Sequence, residues 1–173
     1  MTDMNPNGTN TEIERKYLIK MPDIEKLSKL SGFEPSDIEQ IYLRNPNVSS
    51  ERVRKRVYPD RTEYTHTLKI RIDKMSAHED ERRIDADEYA ALLLRRDERR
   101  TPIHKTRICI PYCGHVCEID VYPFWKKQAV LEIELEDKNT DIPFPPFAEL
   151  IREVTGIHAY SNNALSLEIP PED

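Results

Sequence analysis

Alternation of polar and apolar side chains is the dominant pattern along this chain. In the stretch TEIERKYLIK, residues 11–20, Glu12, Glu14 and Lys16 share one face of an extended strand, while the intervening positions are mostly apolar. The same alternation recurs in the runs ERVRKR, THTLKIRI, HEDERRI, IHKTRICI, CEIDVY and LEIELED. The chain is therefore expected to be rich in β-strands, each with one charged face and one apolar face.

Helical patterns interrupt the strands at three places. Asp23 begins one over residues 21–32, Asp85 or Asp87 caps a second over 85–96, and Pro146 opens a third over 146–156. The principal strand runs are 11–20, 38–43, 50–58, 63–72, 102–110, 115–122 and 129–137. Because the connections are short, the pattern predicts an antiparallel sheet or barrel of seven or eight strands, with helices packed outside.

A chain of 173 residues is long enough for one domain with a real core and short for two. We expect a single domain over residues 11–168. It follows a polar, disordered leader over residues 1–10 and precedes a polar tail over residues 169–173.

The signs of the charges are segregated by strand, which an ordinary solvated sheet face does not require. A row of like charges about 7 Å apart along a strand costs free energy. Some compensating partner is therefore expected. A sheet that closes into a barrel with its charged faces inward would hold both signs together.

Two chemistries follow from such an interior. Aligned carboxylates supply the hard oxygen ligands that Mg²⁺ or Mn²⁺ prefers; the aligned pairs are Glu12 with Glu14 and Glu132 with Glu134. Aligned cations supply donors to phosphate oxygens; these are Arg52, Arg54, Lys69, Lys105 and Arg107. Glycine-rich phosphate loops and catalytic triad patterns are absent from the sequence. Side chains are therefore expected to bind a metal-bound polyphosphate.

The net charge of −6 argues against a broad basic field for nucleic acid. The sequence contains neither an apolar run of membrane-spanning length nor a signal peptide, so we expect a cytoplasmic protein without membrane partners. Two-fold dimers are common among soluble proteins, and a homodimer is the default expectation. The five histidines lack metal-ligand spacing, and we expect them to be structural or exposed.

Cys109, Cys113 and Cys117 surround the sequence PYCGH, which is typical of a tight hairpin turn. Their spacing matches no common zinc pattern. We expect reduced, structural cysteines, with Cys109 and Cys117 facing each other across the two strands.

The segment EIERKYL resembles the Glu-x-Glu-x-Lys signature of the CYTH superfamily, the triphosphate tunnel metalloenzymes. That superfamily includes thiamine triphosphatases, class IV adenylyl cyclases and inorganic triphosphatases. Later segments follow in the family's order, namely QIYL, RVRKR, TLKIR, ERRI, HKTR, CEIDVY, LEIELE and YSNNALS. The resemblance covers most of the chain, from about Glu12 to Leu165.

The resemblance implies an α+β fold, an eight-stranded antiparallel β-barrel that forms a triphosphate tunnel, with helices packed outside. The residues that it assigns to phosphate binding are Lys16, Arg52, Arg54, Lys69, Lys105 and Arg107. Those that it assigns to Mg²⁺ or Mn²⁺ are Glu12, Glu14, Glu132 and Glu134. Further carboxylates that it places in the tunnel are Glu79, Glu81, Glu118 and Asp120. We assign catalytic roles to Glu14, Lys16 and Lys105.

The predicted reaction is metal-dependent hydrolysis of the terminal phosphoanhydride of a triphosphate. A compact single domain favours inorganic tripolyphosphate, with nucleoside or thiamine triphosphate as alternatives. The same site would make cyclic AMP and pyrophosphate from ATP if it were a class IV cyclase, or would bind polyphosphate or nucleotide without turnover if it were a sensor.

Overall fold

The computed structural model describes residues 10–173. The predicted leader therefore lies outside the described residues, except for Asn10, which is the first residue of β1. The strands are β1 (Asn10–Lys20), β2 (Glu34–Tyr42), β3 (Ser50–Val57), β4 (Thr62–Arg71), β5 (Ser76–Ile84), β6 (Ile103–Tyr112), β7 (His115–Val121), β8 (Gln128–Glu134) and β9 (Leu150–Glu153). The helices are α1 (Ile24–Leu27), α2 (Ala86–Leu92) and α3 (Asn162–Leu165).

Eight of the strands close into an antiparallel barrel. Their order is β5-β4-β3-β2-β6-β7-β8-β1, and the pairing of β1 with β5 completes the ring. This confirms the predicted fold class, an eight-stranded antiparallel barrel, with β9 as one extra strand on the edge of β1.

The third predicted helix, over residues 146–156, is wrong, because its central residues form strand β9. The edge of β1 pairs with β5 only through residues 10–13. Beyond that point Leu18 and Ile19 need new backbone partners, and Arg152 and Leu150 supply them. The backbone groups of β1 that β5 does not pair are therefore satisfied by this segment, and that pairing outweighs its local preference for a helix.

Two predicted helices form, and both are short. The Asp23 carboxylate accepts hydrogen bonds from the backbone N–H groups of Glu25 and Lys26 at the start of α1. Asp85 caps α2 in the same way, accepting from the N–H of Glu88 at 2.7 Å. No helix within residues 10–173 has the length and hydropathy needed to cross a membrane.

The apolar faces of the strands point outward and are covered. Ile19, Ile119 and Leu131 belong to one cluster under α1 and the segment that carries Phe144 and Phe147. Tyr89 of α2 packs with Leu43 and Val53 in another. With the apolar side chains outside, the alternating charged rows line the interior of the barrel.

Glu51, on the outer face of β3, ties that strand to the segment after α2. Its carboxylate accepts hydrogen bonds from Arg95 at 2.6 Å and Asn45 at 2.7 Å, and it lies 2.7 Å from Nε2 of His66. Burial alone would raise the pKa of Glu51, but these partners lower it to about 2. The ionised carboxylate is therefore the form that the fold stabilises.

The hairpin between β6 and β7 places the cysteines differently from the prediction. Cys113 and Gly114 both have positive φ, at 49° and 74°, and form a two-residue turn. Tyr112 then pairs with His115, so Cys109 lies opposite Glu118 rather than Cys117. The expectation that Cys109 and Cys117 face each other is wrong, because the hairpin turns around two residues instead of one and puts the two thiols on opposite faces.

Candidate active site

The interior rows of the barrel enclose a cavity of about 370 Å³. This is near the small end of the range of about 300–1,000 Å³ for ligand sites. Among the described residues, its lining includes seven carboxylates, namely Glu12, Glu14, Glu79, Glu81, Glu118, Glu132 and Glu134. It includes equally many cationic side chains, namely Lys16, Arg52, Arg54, Arg56, Lys69, Arg71 and Arg107. The formal charges therefore balance, so a bare polyanion gains little net attraction from the lining.

Two of the residues predicted from sequence, Lys105 and Asp120, lie deeper than this lining. They form an ion pair of 2.6 Å whose side chains are wholly inaccessible to solvent. Arg107 joins them by donating two hydrogen bonds to Asp120, at 2.7 and 2.8 Å. Burial opposes ionisation of Asp120, but Arg107 and Lys105 hold its pKa well below the usual range. Lys105 can therefore influence the charges in the cavity through its contact with Asp120, which in turn contacts Arg107.

Arg107 also connects this buried pair to the cavity. Its guanidinium contacts Glu118 and lies 3.6 Å from Glu132. Glu132 is in turn 3.0 Å from Nζ of Lys16. Burial would raise the pKa of Glu132, but Lys16, followed by Arg107, lowers it to about 2. Glu132 is therefore an ionised carboxylate that fixes the position of the Lys16 ammonium.

A second charged group lies where β4 and β5 meet β1. Nζ of Lys69 is 2.6 Å from Glu12 and 3.6 Å from Glu79. Glu79 is also 3.7 Å from Arg52. Nε of Arg52 is buried without a hydrogen-bond partner among the described residues. Arg52 thus retains donor capacity toward a ligand in the cavity.

The arginines that follow on β3 have neutral partners. Arg54 donates to Oε1 of Gln40 at 3.2 and 3.3 Å. Arg56 donates to Ser36 at 2.8 Å and to the Cys109 thiol at 3.4 Å. Burial and, to a smaller extent, repulsion from the neighbouring cations Arg52 and Arg107 lower the pKa of Arg54 to about 10. Arg54 and Arg56 therefore form a side of the cavity whose positive charge no carboxylate within 4 Å compensates, within residues 10–173.

Carboxylates crowd the opposite side, where Glu14 on β1 is the register partner of Glu134 on β8. Burial, followed by Glu132, raises the pKa of Glu14 to about 7. Partial burial and, to a smaller extent, repulsion from Glu12 and Glu118 raise the pKa of Glu134 to about 7, although its side chain remains exposed to solvent. Within 4 Å and among the described residues, Glu14 has one cationic neighbour, Lys16, at 3.7 Å. This side therefore carries negative charge that a cation would stabilise.

The donor set fits a hard divalent cation in its chemistry. Carboxylate oxygens are suitable ligands, and burial together with neighbouring carboxylates, chiefly Glu132 for Glu14 and Glu12 for Glu134, disfavours the ionised forms of both side chains. Within residues 10–173, no three acidic, histidine or cysteine side chains are yet arranged around a point that would hold an ion. Glu12 is instead bound to Lys69, and Glu132 to Lys16.

The C-terminal segment closes one end of the interior. Lys16 donates to the carbonyl of Tyr160 at 3.4 Å, and Asn162 accepts from Tyr122 at 2.6 Å and from Lys105 at 3.5 Å. Tyr160 and Asn162 therefore hold that segment against the barrel. Trp125, which packs in the apolar cluster beside them, donates to the carbonyl of Pro170 and lies away from the cavity lining.

Several lining residues were not among the predicted site residues. Arg56 and Arg71 continue the alternating rows of β3 and β4, so the pattern of period two contained their signal. Tyr42 and Ser50 are the terminal residues of β2 and β3, and the others come from a loop and the C-terminal segment, where no strand periodicity exists; these are Ser49, His158, Ser161, Asn162 and Asn163.

Comparisons with solved structures give close matches over most of the chain. Two structures of the protein NE1496, described in one of them as an inorganic triphosphatase, are 31% and 30% identical, with TM-scores of 0.57 and 0.56. Both alignments cover 92% of this chain, and they cover 99% and 97% of the other chain. The PH1819 protein from Pyrococcus horikoshii OT3 is 26% identical over 73% of this chain and 80% of its own, with a TM-score of 0.58.

A putative adenylyl cyclase from Hippeastrum, described as having a dominant triphosphatase activity, shares the fold at 18% identity and a TM-score of 0.51. Its alignment covers 73% of this chain and 80% of its own. No protein-family model matches the chain, and no curated protein matches it significantly.

Proposed function

The chain belongs to the CYTH superfamily of triphosphate tunnel metalloenzymes, and from this premise we propose that it is a metal-dependent triphosphatase. The proposed substrate is inorganic tripolyphosphate, which it would hydrolyse at the terminal phosphoanhydride. The relative NE1496, described as an inorganic triphosphatase, supports this choice.

The observation that carries the proposal is the separation of charge within one cavity. Arg54 and Arg56 on β3 have no carboxylate within 4 Å among the described residues, whereas Glu14 and Glu134 across the cavity lie among other carboxylates that raise their pKa values. A polyphosphate alone would satisfy the first side and worsen the second. A polyphosphate that enters with divalent cations satisfies both.

The basic side chains would bind the phosphates. Arginine presents its donors in a planar fork that matches two phosphate oxygens, so Arg52 and Arg54 suit in-plane binding. Lys16 and Lys69 supply point charges, and each would exchange a carboxylate partner for a phosphate oxygen. These cations stabilise negative charge on the phosphoryl group as it is transferred.

Glu12, Glu14, Glu132 and Glu134 would hold the metal. When bound, Mg²⁺ or Mn²⁺ supplies charge neutralisation at the phosphate oxygens and lowers the pKa of a bound water. A tunnel carboxylate that does not bind the metal would accept the proton of the attacking water. Lys105 takes a positioning role, because it contacts Asp120 rather than the cavity.

The test is an incubation of the purified protein with tripolyphosphate, ATP or thiamine triphosphate, each with Mg²⁺, Mn²⁺ or excess EDTA. Orthophosphate, pyrophosphate and cyclic AMP are measured in parallel. Metal-dependent orthophosphate release from tripolyphosphate is expected. Cyclic AMP with pyrophosphate from ATP would identify a cyclase instead, binding without turnover a sensor, and full activity in EDTA would contradict the metal requirement.

Matched variants test the site. Glu14→Gln and Lys16→Ala should abolish turnover while circular dichroism remains that of the wild type. Glu136→Gln is the control, because Glu136 is exposed and continues the same row of β8 beyond the cavity. Wild-type rates in Glu14→Gln or Lys16→Ala, or an equal loss in Glu136→Gln, would contradict the assignment.

A further inference from the structure

The barrel wall contains a seam beside β1. Along one edge, residues 10–13 of β1 pair with β5 and residues 17–19 pair with β9. Between these ladders, the N–H of Glu14 donates to the carbonyl of Met75 at 3.2 Å, and the N–H of Lys16 donates to Oγ1 of Thr155 at 2.9 Å. At this point the neighbours of β1 in the barrel wall are two turns, which carry Met75 and Thr155, instead of a continuous strand.

A cavity of about 230 Å³ occupies this seam. We call it the side window; its lining is Glu14, Lys16, Arg71, Lys74, Val154, Thr155, Gly156, Ile157, His158 and Ser161. Half of these residues also line the central cavity, namely Glu14, Lys16, Arg71, His158 and Ser161. The side window is therefore continuous with the site in which the triphosphate would be hydrolysed.

The charges around the window differ from those inside the barrel. Most interior cations are paired with carboxylates, but Arg71, Lys74 and His158 have no carboxylate within 4 Å in the part of the chain that the structure describes. Asp73 is the nearest acidic residue in sequence, and it contacts Lys138 instead. Glu14 is the one carboxylate of the described lining, and it lies at the junction with the central cavity next to Lys16.

Packed backbone holds the two turns together. Gly156 has a φ of 71°, and a Cβ there would lie 2.7 Å from Cβ and 2.9 Å from the carbonyl oxygen of Lys74. Asp73 fixes the other turn by accepting hydrogen bonds from the N–H groups of Met75 and Ser76, both at 2.9 Å. The window is thus a defined feature of the fold, formed by close contact that glycine permits.

We propose that the side window binds a phosphoryl dianion and is the exit for orthophosphate released in the barrel, an inference that rests on the proposed triphosphatase function. Cleavage of the terminal anhydride leaves two products in one narrow cavity. The C-terminal segment and the apolar cluster around Leu18 and Tyr122 close one end of the interior. Arg71, Lys74 and His158 offer the smaller anion a separate path with unpaired donors.

The direct test follows the imidazole of His158 by NMR while sodium orthophosphate is added, without metal or triphosphate, at constant ionic strength. A saturable shift is expected in the wild type. The double variant Arg71→Gln/Lys74→Gln should bind about tenfold more weakly, the scale of two partly exposed charge-assisted contacts. Lys126→Gln/Lys127→Gln removes equal charge from exposed positions outside the window and should bind like the wild type.

A second measurement concerns turnover. Inhibition of tripolyphosphate hydrolysis by added orthophosphate should weaken by a similar factor in Arg71→Gln/Lys74→Gln and remain unchanged in the control. A selective loss of kcat/KM with tetrapolyphosphate relative to tripolyphosphate would overturn the exit role, since the window would then hold a fourth phosphate of the substrate.

The two proposals fail in different ways. If the His158 signal does not respond to orthophosphate, or responds equally in both double variants, the window is not a phosphate site even in an active enzyme. A protein that lacks triphosphatase activity but shows the expected His158 titration would refute the proposed function and retain the anion site.

Discussion

Replacement of Asp120 by Asn should destabilise this protein more than any other single removal of an interior charge. The Asp120 side chain is inaccessible to solvent and accepts three hydrogen bonds, one from Lys105 at 2.6 Å and two from Arg107 at 2.7 and 2.8 Å. Asparagine preserves the shape but removes the negative charge. Arg107 would then face Lys105 without it, and burial and Arg107 already lower the pKa of the Lys105 ammonium to about 7.

Breaking a buried ion pair from one side costs about 3–5 kcal/mol, because the remaining charge has no solvent to stabilise it. Arg107 retains Glu118 and Glu132 as partners, whereas Lys105 has no other carboxylate within 4 Å among the described residues. We therefore expect a loss of about 4 kcal/mol in the free energy of unfolding, equivalent to a decrease in Tm of about 8–16 °C for a domain of this size.

The assay is urea unfolding at pH 7 followed by circular dichroism, with Asp80→Asn as the control. Asp80 is exposed on β5, so its replacement should change stability by less than about 0.5 kcal/mol. Lys105→Met should recover part of the loss in the Asp120→Asn background, with a coupling energy above about 1 kcal/mol. A loss below about 1 kcal/mol in Asp120→Asn, or additivity with Lys105→Met, would refute the interpretation of Asp120 as the anchor of two cations.

Three further predictions concern other parts of the fold. Because the pKa of Glu51 is lowered from 4.5 to about 2, its ionised form adds about 3 kcal/mol of stability above pH 4.5. The difference in unfolding free energy between wild type and Glu51→Gln should therefore shrink as the pH falls from 4.5 toward 2, and a constant difference would contradict this. Arg54→Met should lower kcat/KM for tripolyphosphate by about 10- to 100-fold with a loss of only about 1 kcal/mol in stability, because the guanidinium has no carboxylate within 4 Å among the described residues and only the Gln40 amide oxygen loses its donor; a loss above about 3 kcal/mol would argue against it. Mild oxidation should produce no Cys109–Cys117 disulfide, checked by mass spectrometry of unreduced peptides, because the two thiols lie on opposite faces of the hairpin.

The sequence predicted the faces of the strands reliably because the period of two is a local property of extended backbone. It failed for β9, which is a strand only because β5 leaves the edge of β1 after Ile13. That vacancy is a long-range consequence of barrel closure, and nothing within residues 146–156 encodes it. The cysteine register failed for a related reason, since one residue in the turn decides which side chains are opposite.

Alternation gives the face of a residue but not its depth in the barrel, and depth separates Lys105 and Asp120 from the residues that line the cavity. The charged rows nevertheless contain a signal for depth. Lys16 is followed on the same face by Leu18, and Asp120 by Tyr122, and these apolar side chains meet in the cluster at the closed end of the barrel. A row that changes from charged to apolar therefore marks where the polar interior ends.

That change also limits how the substrate can lie. Asp120 is adjacent to the apolar side chains, so the last interior cations, Lys105 and Arg107, already have a carboxylate partner in the protein. Cationic side chains without a carboxylate within 4 Å, among the described residues, lie on β3 and around the seam beside β1. A triphosphate bound there would place its anhydride bonds between Arg54 and the crowded carboxylates of β1 and β8. The buried pair below them would set the positions of Arg107 and Lys16 before any ligand arrives.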